Sequence, residues 1–130
     1  EDAKGYAQAV ECARDQNKFW QLQSWFYKNL THAISEAQVL EAAETAGVKD
    51  IDEFKSCWKK GKYEKRVEKD IRDGAEMGIQ GTPTFVLGSY DHESGTVSGE
   101  MFSGAVSEDK FVKAIEKYLA LTGTEAKLNP

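Results

Sequence analysis

Apolar residues recur at helical spacing from Ala3 to Ala75, and that rhythm ends once, at Gly78-Ile79-Gln80-Gly81-Thr82-Pro83. A chain written this way places its helices first and whatever sheet it has afterwards. The first stretch reads as a helix over 3–15, with Ala3, Ala7, Val10 and Ala13 on one face. Phe19, Leu22, Phe26 and Leu30 mark a second helix with an aromatic inner side. Ser35 before Glu36 offers an N-cap and a first-turn carboxylate; Leu40 and Ala43 define an inner face, and Gly47 stops the helix. Asp50, with Glu53 three residues on, predicts a capped start for a short helix carrying Phe54 and Cys57, which Gly61 ends. Tyr63, Val67, Ile71 and Ala75 step by four through a fifth helix.

Beyond the break the period changes. Thr84, Phe85, Val86 and Leu87 form a short β-branched and aromatic run between Pro83 and Gly88, which suits a buried strand. Gly88, Gly95, Gly99 and Gly104 follow, so the expectation is a hairpin with a long, irregular tip over 88–104. Its return strand falls either near Thr96–Ser98 or near Glu100–Ser103. Ser107 then caps a last helix, whose Phe111, Ile115, Tyr118 and Leu119 would pack on the sheet. The fold class expected is α+β: a helical subdomain over 1–78, a hairpin and helix over 79–121, and a frayed tail over 122–130. No strand is legible before residue 84. A lone hairpin is marginal in water, and its open edge invites pairing, so self-association through that edge is expected.

Composition narrows the function. With 130 residues and 40% apolar content, the chain is long enough for one real core. A net charge of −5 argues against a nucleic-acid partner. The one basic run, Lys59 to Arg66, is interleaved with Glu64 and reads as a solvated helix face. No apolar run approaches the ~20 residues that cross a bilayer, so no membrane partner is expected. The chain opens Glu1-Asp2-Ala3-Lys4, with no Met and no signal-like stretch, and reads as processed or cut from something longer.

Few residues can carry chemistry. Cys12 and Cys57 lie on two different expected helices with no C-x-x-C spacing, which leaves free thiols, a disulfide and, least favoured, a catalytic pair open. His32 and His92 fall in loops without the paired spacing of a zinc site, so no metal and no cofactor are expected. No serine stands in a nucleophile elbow. Trp20, Trp25, Trp58 and their aromatic neighbours read mostly as core, with Trp25 and Tyr27 off the main stripe and candidates for an interface. Pro83 is the one proline before the terminus. Only about 5–6% of X-Pro bonds in folded proteins are cis, so the residues alone favour trans. A cis bond would turn the chain sharply and leave the backbone of Thr82 free to pair with an extended peptide.

The order of these pieces resembles the DsbA-like thioredoxin domains. The likeness runs from residue 3 to about 120. It begins with Ala9-Val10-Glu11-Cys12-Ala13 and Gln16-Asn17-Lys18-Phe19-Trp20, and continues through Phe54-Lys55-Ser56-Cys57, Gly61-Lys62-Tyr63, Val67, Asp70 and Gly74. Its most specific part is Gly78-Ile79-Gln80-Gly81-Thr82-Pro83-Thr84-Phe85, and Gly104-Ala105 with Phe111 and Ile115 completes it. Members of that family are thiol–disulfide oxidoreductases of extracytoplasmic compartments. The resemblance implies a partial thioredoxin-like fold, a cis Pro83 and a Thr82 that contacts substrate; it also makes Cys12 and Cys57 a structural disulfide. It further implies a periplasmic or otherwise extracytoplasmic location, and protein or peptide substrates bearing cysteines. The C-x-x-C of the family is missing here. The expectation is therefore a C-terminal portion of such an oxidoreductase with no catalytic residue of its own. A non-catalytic peptide-binding module is the first alternative, and a glutathione-transferase-like isomerase relative the second.

Overall fold

The computed structural model describes residues 2–121 of the chain. Six helices and one two-stranded antiparallel sheet follow one another, the α+β order expected from the sequence. The helices are α1 (Asp2–Arg14), α2 (Phe19–Asn29), α3 (Glu36–Thr45), α4 (Ile51–Lys59), α5 (Glu64–Glu76) and, after the strands β1 (Thr84–Asp91) and β2 (Thr96–Ser103), α6 (Glu108–Leu121). Packing divides the chain between Gly74 and Ala75, a little ahead of the 78/79 boundary read from the sequence. The tail over 122–130 lies outside the described residues.

In the helical unit, α1 packs against α2 and α4, and α3 packs against the same two helices. Caps fix where the helices start. Ser35 accepts from the Gln38 amide while the Gln38 side chain accepts from the Ser35 amide, and Asp50 accepts from the Glu53 amide at 2.8 Å. The Gln16 side chain bonds to Lys49 N, Asp50 N and Asp50 O, which staples the α3–α4 turn. Leu22, Val39, Phe54, Cys12, Ala9 and Ala13 form the centre of the core, with Phe26 and Val48 around them. Cys12 on α1 and Cys57 on α4 are joined by a disulfide, with Cα atoms 5.9 Å apart.

The expected inner faces need three corrections. On α1 the buried apolar positions are Ala9, Val10, Cys12 and Ala13, whereas Ala3 is exposed and Ala7 half-buried. Nearer its start the helix is held instead through the Gly5 carbonyl, which accepts from Trp58 Nε1 at 3.0 Å, and through Tyr6 against Phe26. On α3 the buried set is Val39, Ala42 and Ala43, with Leu40 half-buried beside it. On α5 only Val67 is buried, and Ile71 and Ala75 are exposed. The basic run is also more than a solvated face. Lys59 pairs with Glu36, Lys62 with Asp15 at 2.8 Å and Arg66 with Glu11 at 3.3 Å, so it ties the end of α4 and the start of α5 to earlier segments.

In the second unit the irregular tip gives way to regular structure. β1 and β2 pair over eight residues each, from Thr84↔Ser103 to Asp91↔Thr96, so both alternative return segments belong to one strand. The reason lies in two glycines. Gly88 and Gly99 face each other in the ladder, and a Cβ on Gly99 would stand 2.0 Å from the Leu87 carbonyl oxygen. They permit close backbone approach rather than a turn. The turn is made by Gly95, at φ +68°, whose N–H donates to the Asp91 carbonyl at 2.8 Å. Strand alternation puts Phe85 and Phe102 on one face, where both rings meet Phe111 of α6, at 4.8 and 5.2 Å. Val86, Tyr90, Val97 and Met101 occupy the other face and are exposed. Among the described residues, neither strand has a further strand partner.

Candidate functional site

The segment between α5 and β1 is built by small residues and one proline. Gly78, at φ +77°, takes the left-handed conformation that ends α5, and its N–H donates to the Ala75 carbonyl at 3.0 Å. The Thr82–Pro83 peptide bond is cis. On either side of Thr82 the backbone is tied down. The Thr84 hydroxyl donates to the Gly81 carbonyl at 2.6 Å, and Gly104 N donates to the Pro83 carbonyl at 2.8 Å. Thr84 Oγ1 also lies 3.0 Å from Ser103 Oγ. The carbonyls of Gly81 and Pro83 are thus occupied, while the exposed Thr82 keeps its N–H and C=O out of every bond that ties this loop to the strands. Chemically the loop offers one donor and one acceptor at the start of a strand. That is the minimum set for pairing with an extended chain.

Thr82 and Pro83, singled out in the sequence, therefore sit together and exposed in this loop. Thr84, Ser103 and Gly104 were not singled out. The signal that finds them is the register Thr84↔Ser103, which the sequence left open between two return strands. The remaining candidates lead elsewhere. Cys12 and Cys57 are bonded to one another, so neither sulfur is a free thiolate. His32 lies against Thr31 Oγ1 at 3.0 Å, and His92 packs edge-on to the Tyr90 ring. No cluster of metal-ligating side chains occurs among the described residues. Trp25 packs half-buried against the helical core, whereas Tyr27 is exposed beside an open groove of about 700 Å³ between α1, α2 and α5.

Beside the disulfide, Asp15 collects an ordered set of partners. It accepts from Lys62 Nζ at 2.8 Å and from the Tyr63 hydroxyl at 2.6 Å. Burial pushes the Asp15 carboxyl up, but those two hydrogen bonds outweigh it and hold the group below the usual carboxylate range. The same bond to Asp15, helped by burial, raises the Tyr63 phenol, and the bond to Asp15 raises the Lys62 ammonium. The network braces the helical unit and presents no unpaired nucleophile.

A helical unit followed in sequence by a two-stranded hairpin and a packing helix places the chain in the α+β class. A family model described as the DSBA-like thioredoxin domain matches residues 4–116, and the chain belongs to that family. No curated protein and no solved structure matches the chain significantly.

Proposed function

We propose that this chain supplies the substrate-facing side of a thiol–disulfide oxidoreductase, as the C-terminal portion of such an enzyme. The observation that carries this reading is the free backbone of Thr82, exposed between two pinned carbonyls. Thr82 and Pro83 would bind a cysteine-bearing protein or peptide segment in extended form, with strand-like hydrogen bonds to Thr82. Exchange itself requires a thiolate that attacks a disulfide sulfur. The sequence holds two cysteines, and both are spent in the Cys12–Cys57 bond. Bound substrate would therefore meet no nucleophile from this chain, and the redox pair would have to come from a segment outside it.

The Cys12–Cys57 bond serves as a structural brace in this reading, and its persistence suits an extracytoplasmic, oxidising compartment. Among the described residues, no helix is long and apolar enough to cross a membrane. The unpaired edges of the hairpin and its exposed Val86, Tyr90, Val97 and Met101 support self-association of the isolated chain.

The test is an NMR titration with a flexible peptide carrying one S-methylated cysteine, which can bind but cannot exchange. Amide shifts should concentrate at Gly81–Phe85, and the chain should reduce a protein disulfide no faster than a variant with both cysteines replaced by alanine. Shifts centred in the helical unit, or reductase activity clearly above that control, would overturn the reading.

A further inference from the structure

We propose that Thr84 and Ser103 form a one-directional hydroxyl clamp that sets the shape in which Thr82 is presented. This rests on the reading of the loop as a peptide-binding site. Thr84 and Ser103 are the terminal partners of the ladder, and the next rung would join Pro83 to Gly104. Proline has no N–H, so that rung is half a rung: Gly104 N donates to the Pro83 carbonyl at 2.8 Å, and nothing can be donated back. The flanking pair Thr84↔Ser103 is then one without mutual backbone bonds, the type in which facing side chains stand closest. Their hydroxyl oxygens are 3.0 Å apart.

Proton accounting fixes the direction of this pair. A hydroxyl has one hydrogen to give, and a carbonyl can only accept. Thr84 Oγ1 lies 2.6 Å from the Gly81 carbonyl oxygen, so its hydrogen goes there. Ser103 must therefore donate to Thr84, and its own lone pairs stay open. The relay Ser103→Thr84→Gly81 replaces the bond that Pro83 cannot make, and it reaches three residues upstream, past Thr82. Gly81 is held from one side and Pro83 from the other, which leaves the Thr82 peptide groups as the part of the loop free to face a partner. Polarisation along such a chain strengthens each bond in it. Thr84 is here a positioning residue: it acts on a bound chain through Gly81.

The experiment compares Thr84→Val, which keeps the shape and loses the hydroxyl, with Thr84→Ser, which keeps the hydroxyl, and Ser103→Ala, which removes only the outer donor. Amide exchange at Gly104 and the chemical shifts of Gly81–Thr84 report on the clamp, with amides of the helical unit as internal reference. Thr84→Val should speed Gly104 exchange roughly fivefold, the worth of about one net hydrogen bond, and weaken the S-methylcysteine peptide by a similar factor. Thr84→Ser should stay near the parent chain, and Ser103→Ala should fall between the two. If Thr84→Val leaves exchange and shifts unchanged, or Thr84→Ser behaves like Thr84→Val, the clamp is wrong, even where the peptide binds at Thr82. If the clamp signals move as expected while no peptide binds the parent chain, the binding-site reading fails and the clamp stands.

Discussion

The two units of this chain bury their apolar residues to very different degrees. The helical unit closes over a core of twelve buried side chains, including Phe54 at 1% exposure and Leu22 at 0%. Among the described residues of the second unit the buried apolar ones are Phe102 and Ala114, while Tyr90 is 54% exposed and Val97 46%. The sequence of each explains the contrast. Four of the helical segments pack pairwise on each other, so every apolar stripe among them finds another stripe. A two-stranded sheet has two faces and one helix, so α6 can cover the Phe85–Phe102 face and leaves the other bare. The helical unit thus closes on itself, whereas the hairpin keeps one apolar face exposed.

The largest test of this contrast is the disulfide. Its two cysteines are 45 residues apart, and the loop-entropy relation gives such a bridge about 4 kcal/mol. Replacing both Cys12 and Cys57 by alanine should lower the urea midpoint of the helical signal steeply, while amide exchange across β1 and β2 stays as it was. Equal loss in both regions would show that they unfold as one body. The converse test is Gly99→Ala. The new methyl would meet the Leu87 carbonyl oxygen and Gly88 Cα at 2.0 and 2.4 Å, both backbone atoms that cannot swing aside. Prying the strands apart should cost about 1–3 kcal/mol, seen as lost protection at Val86 to Tyr90 with the helical amides unchanged.

The same contrast governs what the sequence disclosed. Caps at Ser35 and Asp50, stops at Gly47 and Gly61, and the stripe through Phe19, Leu22 and Phe26 are local signals, and the helices formed where those signals lie. Burial on α1 and α5 was less legible. An α-helical stripe shows which side is apolar, but only the neighbours decide which half of it is covered, as Ala3 and Ile71 illustrate. The hairpin was legible but the regularity of its 88–104 segment was not, because glycine has two uses. Gly95 turns the chain, whereas Gly88 and Gly99 let two backbones touch, and nothing local to those residues tells the uses apart. The loop at Thr82–Pro83 was visible as a motif. Its clamp was not, since Ser103 joins Thr84 only through a register set nineteen residues away.

The smallest effect separates the two units by pH. Asp15 titrates below its ordinary range in the folded chain because Lys62 and Tyr63 bond to the carboxylate more strongly than burial opposes it. Unfolded aspartate titrates near 3.9. The stabilisation is thus complete above about pH 4 and is lost as pH falls through the lower folded value. Tyr63 and Lys62 carry the opposite sign: their raised folded values make their contribution complete below about pH 10 and lost as pH climbs past it. At the hairpin tip, the Glu93 amide and the Ser94 hydroxyl lower Asp91, which gives that turn an acid edge through the same logic. Asp15→Asn should therefore cost the helical unit about 1 kcal/mol at neutral pH and flatten both its acid and its alkaline limb in urea midpoints taken across the range. The exchange protection of Gly95 should keep its acid limb in that variant. If the Asp15→Asn chain retains the alkaline limb of the parent, Tyr63 and Lys62 draw their raised values from some other partner, and the brace beside the disulfide is not built on Asp15.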